Sequence, residues 1–240
     1  MRAMMLGLGL LMPLAACSAR ADGAPAAAKG EERSFAVRDF TGVALRGSDD
    51  VDVKIASEFT VRATGPAKVL DDLVIERRGD MLRIGRKSRR GWNWGDRGNA
   101  RIFVTLPALK AAAVAGSGDM RIGPLNGETL QLSNAGSGSI ALDSVTVKAI
   151  DADLAGSGDV SARGTSERIT LSIAGSGDID MAGLKARAAK VSIAGSGSVT
   201  AQVDGDADVS ILGSGDVTLG ARARCKVSKM GSGTVSCGGN

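Results

Sequence analysis

The sequence predicts an all-β protein built as a parallel β-solenoid, a β-helix whose coils of 18–20 residues turn at Gly-Ser-Gly corners. Three observations predict it. The triplet Gly-Ser-Gly starts at Gly116, Gly136, Gly156, Gly175, Gly195, Gly213 and Gly231, and steps so short and regular are the signature of stacked repeats. Around each triplet, apolar and polar residues alternate with period two. Met120, Ile140, Val160, Ile179, Val199, Val217 and Val235 follow the block, Ile122, Leu142, Ala162, Met181, Ala201, Leu219 and Cys237 stand two places on, and Ala112, Leu132, Ala152, Leu171, Val191, Val209 and Val227 precede it, all on the inward side. Composition agrees: with 34 glycines, 2% aromatic residues and no tyrosine, the core must be aliphatic.

Glycine suits the corners physically. Where like corners stack about 4.8 Å apart, a Cβ on each residue would crowd the ladder. The intervening serines, Ser117 to Ser232, are expected to hydrogen-bond to backbone or to one another along the corner. A flexible Gly-Ser linker would not keep the flanking alternation in register.

In chain order, the first element is a targeting segment, residues 1–17. "MRAMMLGLGLLMPLAAC" has one basic residue, Arg2, then an apolar run too short to span a membrane comfortably. Its end, Leu14-Ala15-Ala16-Cys17, resembles a bacterial lipoprotein signal, in which the Cys17 thiol takes the lipid; a plain secretory signal with an incidental cysteine is the alternative. Both readings export the chain. Several acyl chains on Cys17, at about 0.8 kcal/mol per buried methylene, would anchor it firmly to the membrane. Ser18, where an aspartate is absent, resembles the sorting pattern for the outer membrane and leaves the membrane face open. Residues 18–34 are small and polar without periodicity and read as a flexible tether.

Residues 35–240 then read as a single β-helix domain, with irregular strands over 35–110 and seven Gly-Ser-Gly coils over 111–240. "VDVKI", "FTVRA", "DMLRIGRK" and "RIFVTL" alternate as half-buried strands do, Arg78-Gly79-Asp80 supplies a turn, and "VLDDLV" from Val69 has room for one helical turn. Between the third and fourth of these lies "RKSRRGWNWGDRGNAR", residues 86–101, rich in arginine and holding both tryptophans. Arg86, Lys87, Arg89, Arg90, Trp92, Trp94 and Arg97 form a candidate binding loop, because an indole can stack on a sugar or lipid while guanidinium groups pair with anions. A solvated hairpin with its tryptophans laid back on the solenoid is the alternative.

The blocks "GSGDM", "GSGSI", "GSGDV", "GSGDI", "GSGSV" and "GSGTV", with the approach "RIFVTLPALKAAAVAGSGDM", resemble the head GIN domain family of auto-transporter adhesins. The resemblance runs from about Phe35 to Gly238 and takes in a degenerate early copy, "LRGSDDVDV", from Leu45. It implies a right-handed parallel β-helix on or near a bacterial envelope and brings no catalytic residues.

The residues themselves exclude several chemistries. Without histidine there is no His-based acid/base catalysis, nucleophile triad or metal site. A net charge of +4 is too mild to imply nucleic acid, and nothing calls for a cofactor. The corner spelling departs from the glycine-aspartate nonapeptide of calcium rolls. Asp159 and Asp178 fall on one edge in neighbouring coils and form the only candidate cation edge; solvated carboxylates bonding local N–H groups are the favoured reading. Cys225 and Cys237 flank Gly231 six residues either way, both inward in the last coil, and export favours a disulfide between them over two buried thiols. Three functions compete: a non-catalytic envelope lipoprotein presenting an adhesive or binding surface to an anionic glycan or lipid headgroup, a polysaccharide-acting β-helix enzyme, and a structural or regulatory periplasmic module.

Overall fold

Period-two alternation with branched aliphatic residues inward yields strands nearly throughout the residues that the computed structural model describes, 31–87 and 98–238. The amino-terminal part contains β1 (Glu31–Ser34), β2 (Gly42–Gly47), β3 (Asp50–Ile55), β4 (Thr60–Gly65), helix α1 (Ala67–Asp72), β5 (Leu73–Arg78), β6 (Met81–Arg86) and β7 (Arg101–Leu106). The coils follow as β8 (Ala111–Gly116), β9 (Met120–Ile122), β10 (Leu125–Asn126), β11 (Thr129–Gly136), β12 (Ile140–Gly156), β13 (Val160–Gly175) and β14 (Ile179–Gly195). The stack closes with β15 (Ser198–Val203), β16 (Asp206–Gly213), β17 (Asp216–Thr218), β18 (Arg224–Met230) and β19 (Val235–Ser236).

The coils pair in parallel, one on the next, to form a β-solenoid. One face runs β8, β11, the last half of β12, then β13, β14, β16 and β18; across the corner β9, the start of β12, then β13, β14, β15, β17 and β19 stack likewise. Gly116, Gly136, Gly156, Gly175, Gly195 and Gly213 are successive partners in one column. Inward residues of the repeats, from Ala112 and Met120 to Val209 and Val217, are buried as the alternation requires.

The corner glycines answer two demands. Gly175 has φ 141°, in the region open to glycine, and a Cβ on Gly177 would fall on the carbonyl oxygen of Gly158 below it. The ladder along the corner is made by main-chain amides: the N–H of Ser137, Ser157 and Ser176 donate to Gly116, Gly136 and Gly156 carbonyls at 2.9, 3.0 and 2.9 Å. The expected serine hydroxyl ladder is not there. The side chains of Ser117, Ser137, Ser157, Ser176, Ser196, Ser214 and Ser232 are exposed, and among the described residues only the hydroxyl of the early corner, Ser48, finds a partner, Asn99 Oδ1 at 3.5 Å.

At the amino-terminal end, order in the stack departs from order in the chain. β2 and β3 pair with β8 and β9, setting Gly47 beside Gly116, so the degenerate early copy is a true coil. β6 and β7 then lie against the other side of β2 and β3. Antiparallel strands finish this end, β5 on β6, β4 on β7 and β1 on β4, and they cover edges that would otherwise stay open. Helix α1 lays Val69 and Leu70 into the core, and Phe40 meets Phe59 edge-on with ring centroids 5.1 Å apart. Residues 31–34, placed by composition in the tether, are therefore strand: β1 pairs with β4, and Arg62 bonds Glu32 at 3.1 Å.

The carboxyl-terminal end has no such cover among the described residues. Val227 is in register with buried Val209, yet it is 46% exposed because no coil follows on its open side. Cys225 and Cys237 are joined in a disulfide across this end, with Cα atoms 6.3 Å apart.

Candidate functional site

The candidate site begins with a departure from the repeat. Pairing of β6 with β2 and of β7 with β3 sets Arg86 and Arg101 on the two sides of the corner column, so in chain order the arginine- and tryptophan-rich sequence between them is an insertion that takes the place of one Gly-Ser-Gly triplet. In the coil above it the corner reads Gly47-Ser48-Asp49, with an aspartate in place of the second glycine. A Cβ at this position points toward the coil below. In the regular stack a carbonyl fills that space, as Asp49's own does beneath Gly118. Beneath Asp49 stand Arg86 and Ala100, and a side chain fits and is bonded there.

That carboxylate is fully buried and holds both stems of the insertion. Asp49 accepts from Arg86 Nε at 2.9 Å, from Arg86 Nη2, and from the N–H of Ala100 at 2.8 Å, while Arg86 Nη2 also donates to the Gly98 carbonyl at 3.1 Å. Hydrogen bonding to Asp49 raises the Arg86 pKa above its ordinary value, against the opposing effect of burial. Lys87 Nζ donates to the Asp71 carbonyl at 2.9 Å and its N–H to that of Asp72 at 2.8 Å. Arg101, at the outgoing stem, pairs with Asp52 at 2.5 Å, and that bond likewise raises its pKa.

Of the loop residues singled out in the sequence, Arg86 and Lys87 are thus at the stem, with Arg86 committed to Asp49. Arg89, Arg90, Trp92, Trp94 and Arg97 lie outside the described residues, as does Cys17. Asp49 was missed. The signal for it was the spelling of the early copy, in which aspartate stands where every later corner has glycine.

The aspartates after the triplets have a defined task. Asp119, Asp159, Asp178 and Asp216 accept from the N–H of Ser139, Asp178, Ser198 and Thr234 at 2.9, 3.2, 2.8 and 2.8 Å. Each N–H belongs to the next coil, so these carboxylates tie coils together, where the sequence suggested a local partner. Asp159 and Asp178 are bonded to each other's neighbourhood in this way, and among the described residues no group of three acidic, cysteine or histidine side chains is arranged to hold a metal. A shallow recess of about 510 Å³ brings Asp143, Arg163 and Asp180 together on another edge; Asp180 Oδ1 there accepts from the N–H of Ala182 at 3.0 Å. No helix of the described residues is long and apolar enough to cross a membrane.

Comparison with known proteins follows the same architecture. Residues 39–223 match the family described as "Putative auto-transporter adhesin, head GIN domain". Among solved structures, a "putative adhesin" from Bacteroides fragilis is 22% identical with a TM-score of 0.80, the match covering 88% of this chain and 97% of that one. A "putative lipid binding protein" from Parabacteroides distasonis is 25% identical over the same shares, with a TM-score of 0.70. A "putative adhesin" from Parabacteroides merdae is 17% identical over the same shares, with a TM-score of 0.62. No match is found among curated proteins.

Proposed function

This chain belongs to the head GIN domain family, and from that premise we propose that it is a non-catalytic, adhesin-like lipoprotein of the bacterial envelope, tethered through Cys17, which offers the corner insertion to an anionic partner. The observation that carries the reading is the buried Asp49, which bonds Arg86 and Ala100 on the two sides of the sequence that replaces one Gly-Ser-Gly triplet. A rigid base under a loop that holds Arg89, Arg90, Trp92, Trp94 and Arg97 concentrates the residue types that dominate binding energy on one spot of an otherwise small-residue surface. A lipid headgroup or an acidic glycan presents the matching charge, and the name of the Parabacteroides distasonis relative, a lipid binding protein, accords with the first.

The test is an array of anionic glycans and phospholipids probed with the mature protein and with Trp92→Ala/Trp94→Ala. Binding is expected to weaken in the double variant at unchanged melting temperature, and to fall with added salt as exposed charges are screened. A double variant that melts several degrees lower while binding is unchanged would make the loop a connection and the tryptophans part of the core. Shortening of any glycan on the array would point instead to a polysaccharide-acting enzyme.

A further inference from the structure

The open end of the stack, opposite the insertion, carries a second surface. After Asp216 the sequence has no acidic side chain, and its Arg222, Arg224, Lys226 and Lys229 equal in number the formal net charge of the whole chain, +4. These residues sit on a coil that is paired on one side only: among the described residues β18 bonds to β16, and the N–H and C=O groups of its other edge have no strand beside them. In β16 the inward residues Ala207, Val209 and Ile211 are buried, whereas their partners in β18, Cys225, Val227 and Lys229, are partly or fully exposed. A recess of about 560 Å³ opens there, floored by Val227, Val235 and the disulfide.

The last two coils also set acid over base. Asp204 pairs with Arg222 at 3.1 Å, Asp206 with Arg224 at 2.9 Å, and Asp208 stands in register with Lys226. The acidic coil is satisfied from above; among the described residues no strand stands above the basic coil. We propose that β18 is a docking edge for an extended acidic segment of a partner protein, which adds as one more rung of the solenoid. Its backbone would complete the ladder of β18. Carboxylates at alternate positions would meet Arg224 and Lys226, and an apolar residue would enter the recess over Val227.

Lys229 decides which strands are admitted. It occupies an inward position, over buried Ile211, with its Nζ bonded to the Gly233 carbonyl at 2.6 Å. A neutral rung laid over it would bury an uncompensated ammonium, and a second copy of this end would set one basic coil against another, so a strand with an acidic inward residue is the one accommodated. An anionic bilayer would answer the charges but not the bare N–H and C=O groups of the edge, which favours a strand.

The experiment uses an eight-residue peptide with glutamate facing Arg224, Lys226 and Lys229, valine facing Val227 and serine elsewhere, its lysine-for-glutamate counterpart, and phosphatidylglycerol vesicles. The glutamate peptide is expected to bind the mature protein, to slow hydrogen exchange of the β18 amides, and to lose about tenfold or more in affinity in Lys226→Glu/Lys229→Glu. Lys226→Gln/Lys229→Gln, which only removes charge, should give an intermediate loss at unchanged melting temperature. Equal binding of the lysine peptide, unprotected β18 amides, unchanged affinity in both variants, or association with vesicles in place of the peptide each overturns the proposal. Trp92→Ala/Trp94→Ala should bind the peptide as the unaltered protein does, so failure here is separable from failure of the corner insertion as a binding loop.

Discussion

At the corner, single atoms decide the fold. A valine at position 177 would drive its branched side chain into the Gly158 carbonyl and Leu154, so Gly177→Val is expected to lower stability by about 3 kcal/mol or more in chemical denaturation, while Thr200→Ser leaves it within experimental error. Asp49 is the mirror case, a side chain that occupies the space where the repeat elsewhere allows none. Asp49→Ala strands the Arg86 guanidinium and the Ala100 N–H, and a loss of about 3–5 kcal/mol is expected on denaturation. The carboxyl of Asp216 is held below its ordinary value of 3.8 by hydrogen bonds from the Thr234 hydroxyl and N–H. Because the folded state binds this proton less readily than the unfolded one, the contribution is present at neutral pH and vanishes as the pH falls through the depressed value. Melting curves taken below about pH 4 should therefore separate less between the protein and Asp216→Asn than curves taken at neutrality.

Among the elements, the disulfide is the most exposed to test. It closes a loop of sequence separation 12, for which about 2–3 kcal/mol is the usual range, and it holds the coil that lacks an outer neighbour. Reduction is expected to quicken hydrogen exchange in β18 and β19 and leave β12 to β14 unchanged; uniform quickening would mean that the stack opens as one unit. The same elements show what a sequence can tell. Strands β12, β13 and β14 were legible because alternation and glycine spacing are local facts. Val227 was read as inward because alternation gives only the side a residue faces, and burial there requires a further coil, which none of the described residues forms. The pairing of β2 with β8 escaped the reading for a related reason: identical corners can stack in any order, and only the antiparallel cover by β4 and β5 reveals which coil lies at the end. The Asp49 clamp depends on that order, so it could not be derived before the order was known.

Across the whole molecule, the two ends differ in how they are finished, and the difference is one of topology as much as of packing. From β11 onward each coil touches the coil made just before it, about one period away in sequence. The amino-terminal platform is assembled otherwise: β2 and β3 are enclosed between β6 and β7 on one side and β8 and β9 on the other, all later in the chain. Such long loops must close before any contact rewards them, which makes this the slow part of folding. Once it exists, coils can add one at a time onto a template. Removing the last coil, residues 214–240, should leave circular dichroism and a cooperative melt, while removing residues 31–106 should abolish both.

That order has a consequence for a chain delivered through a membrane amino terminus first. Strands β2 and β3 would emerge without partners, gain β6 and β7 on one side only once residues 86 and 106 have followed, and keep their other side open until residue 122. During that interval the half-paired strands are natural clients for a holdase, and growth of the solenoid then proceeds as polymerisation does from a seed, in one direction, toward the carboxyl terminus.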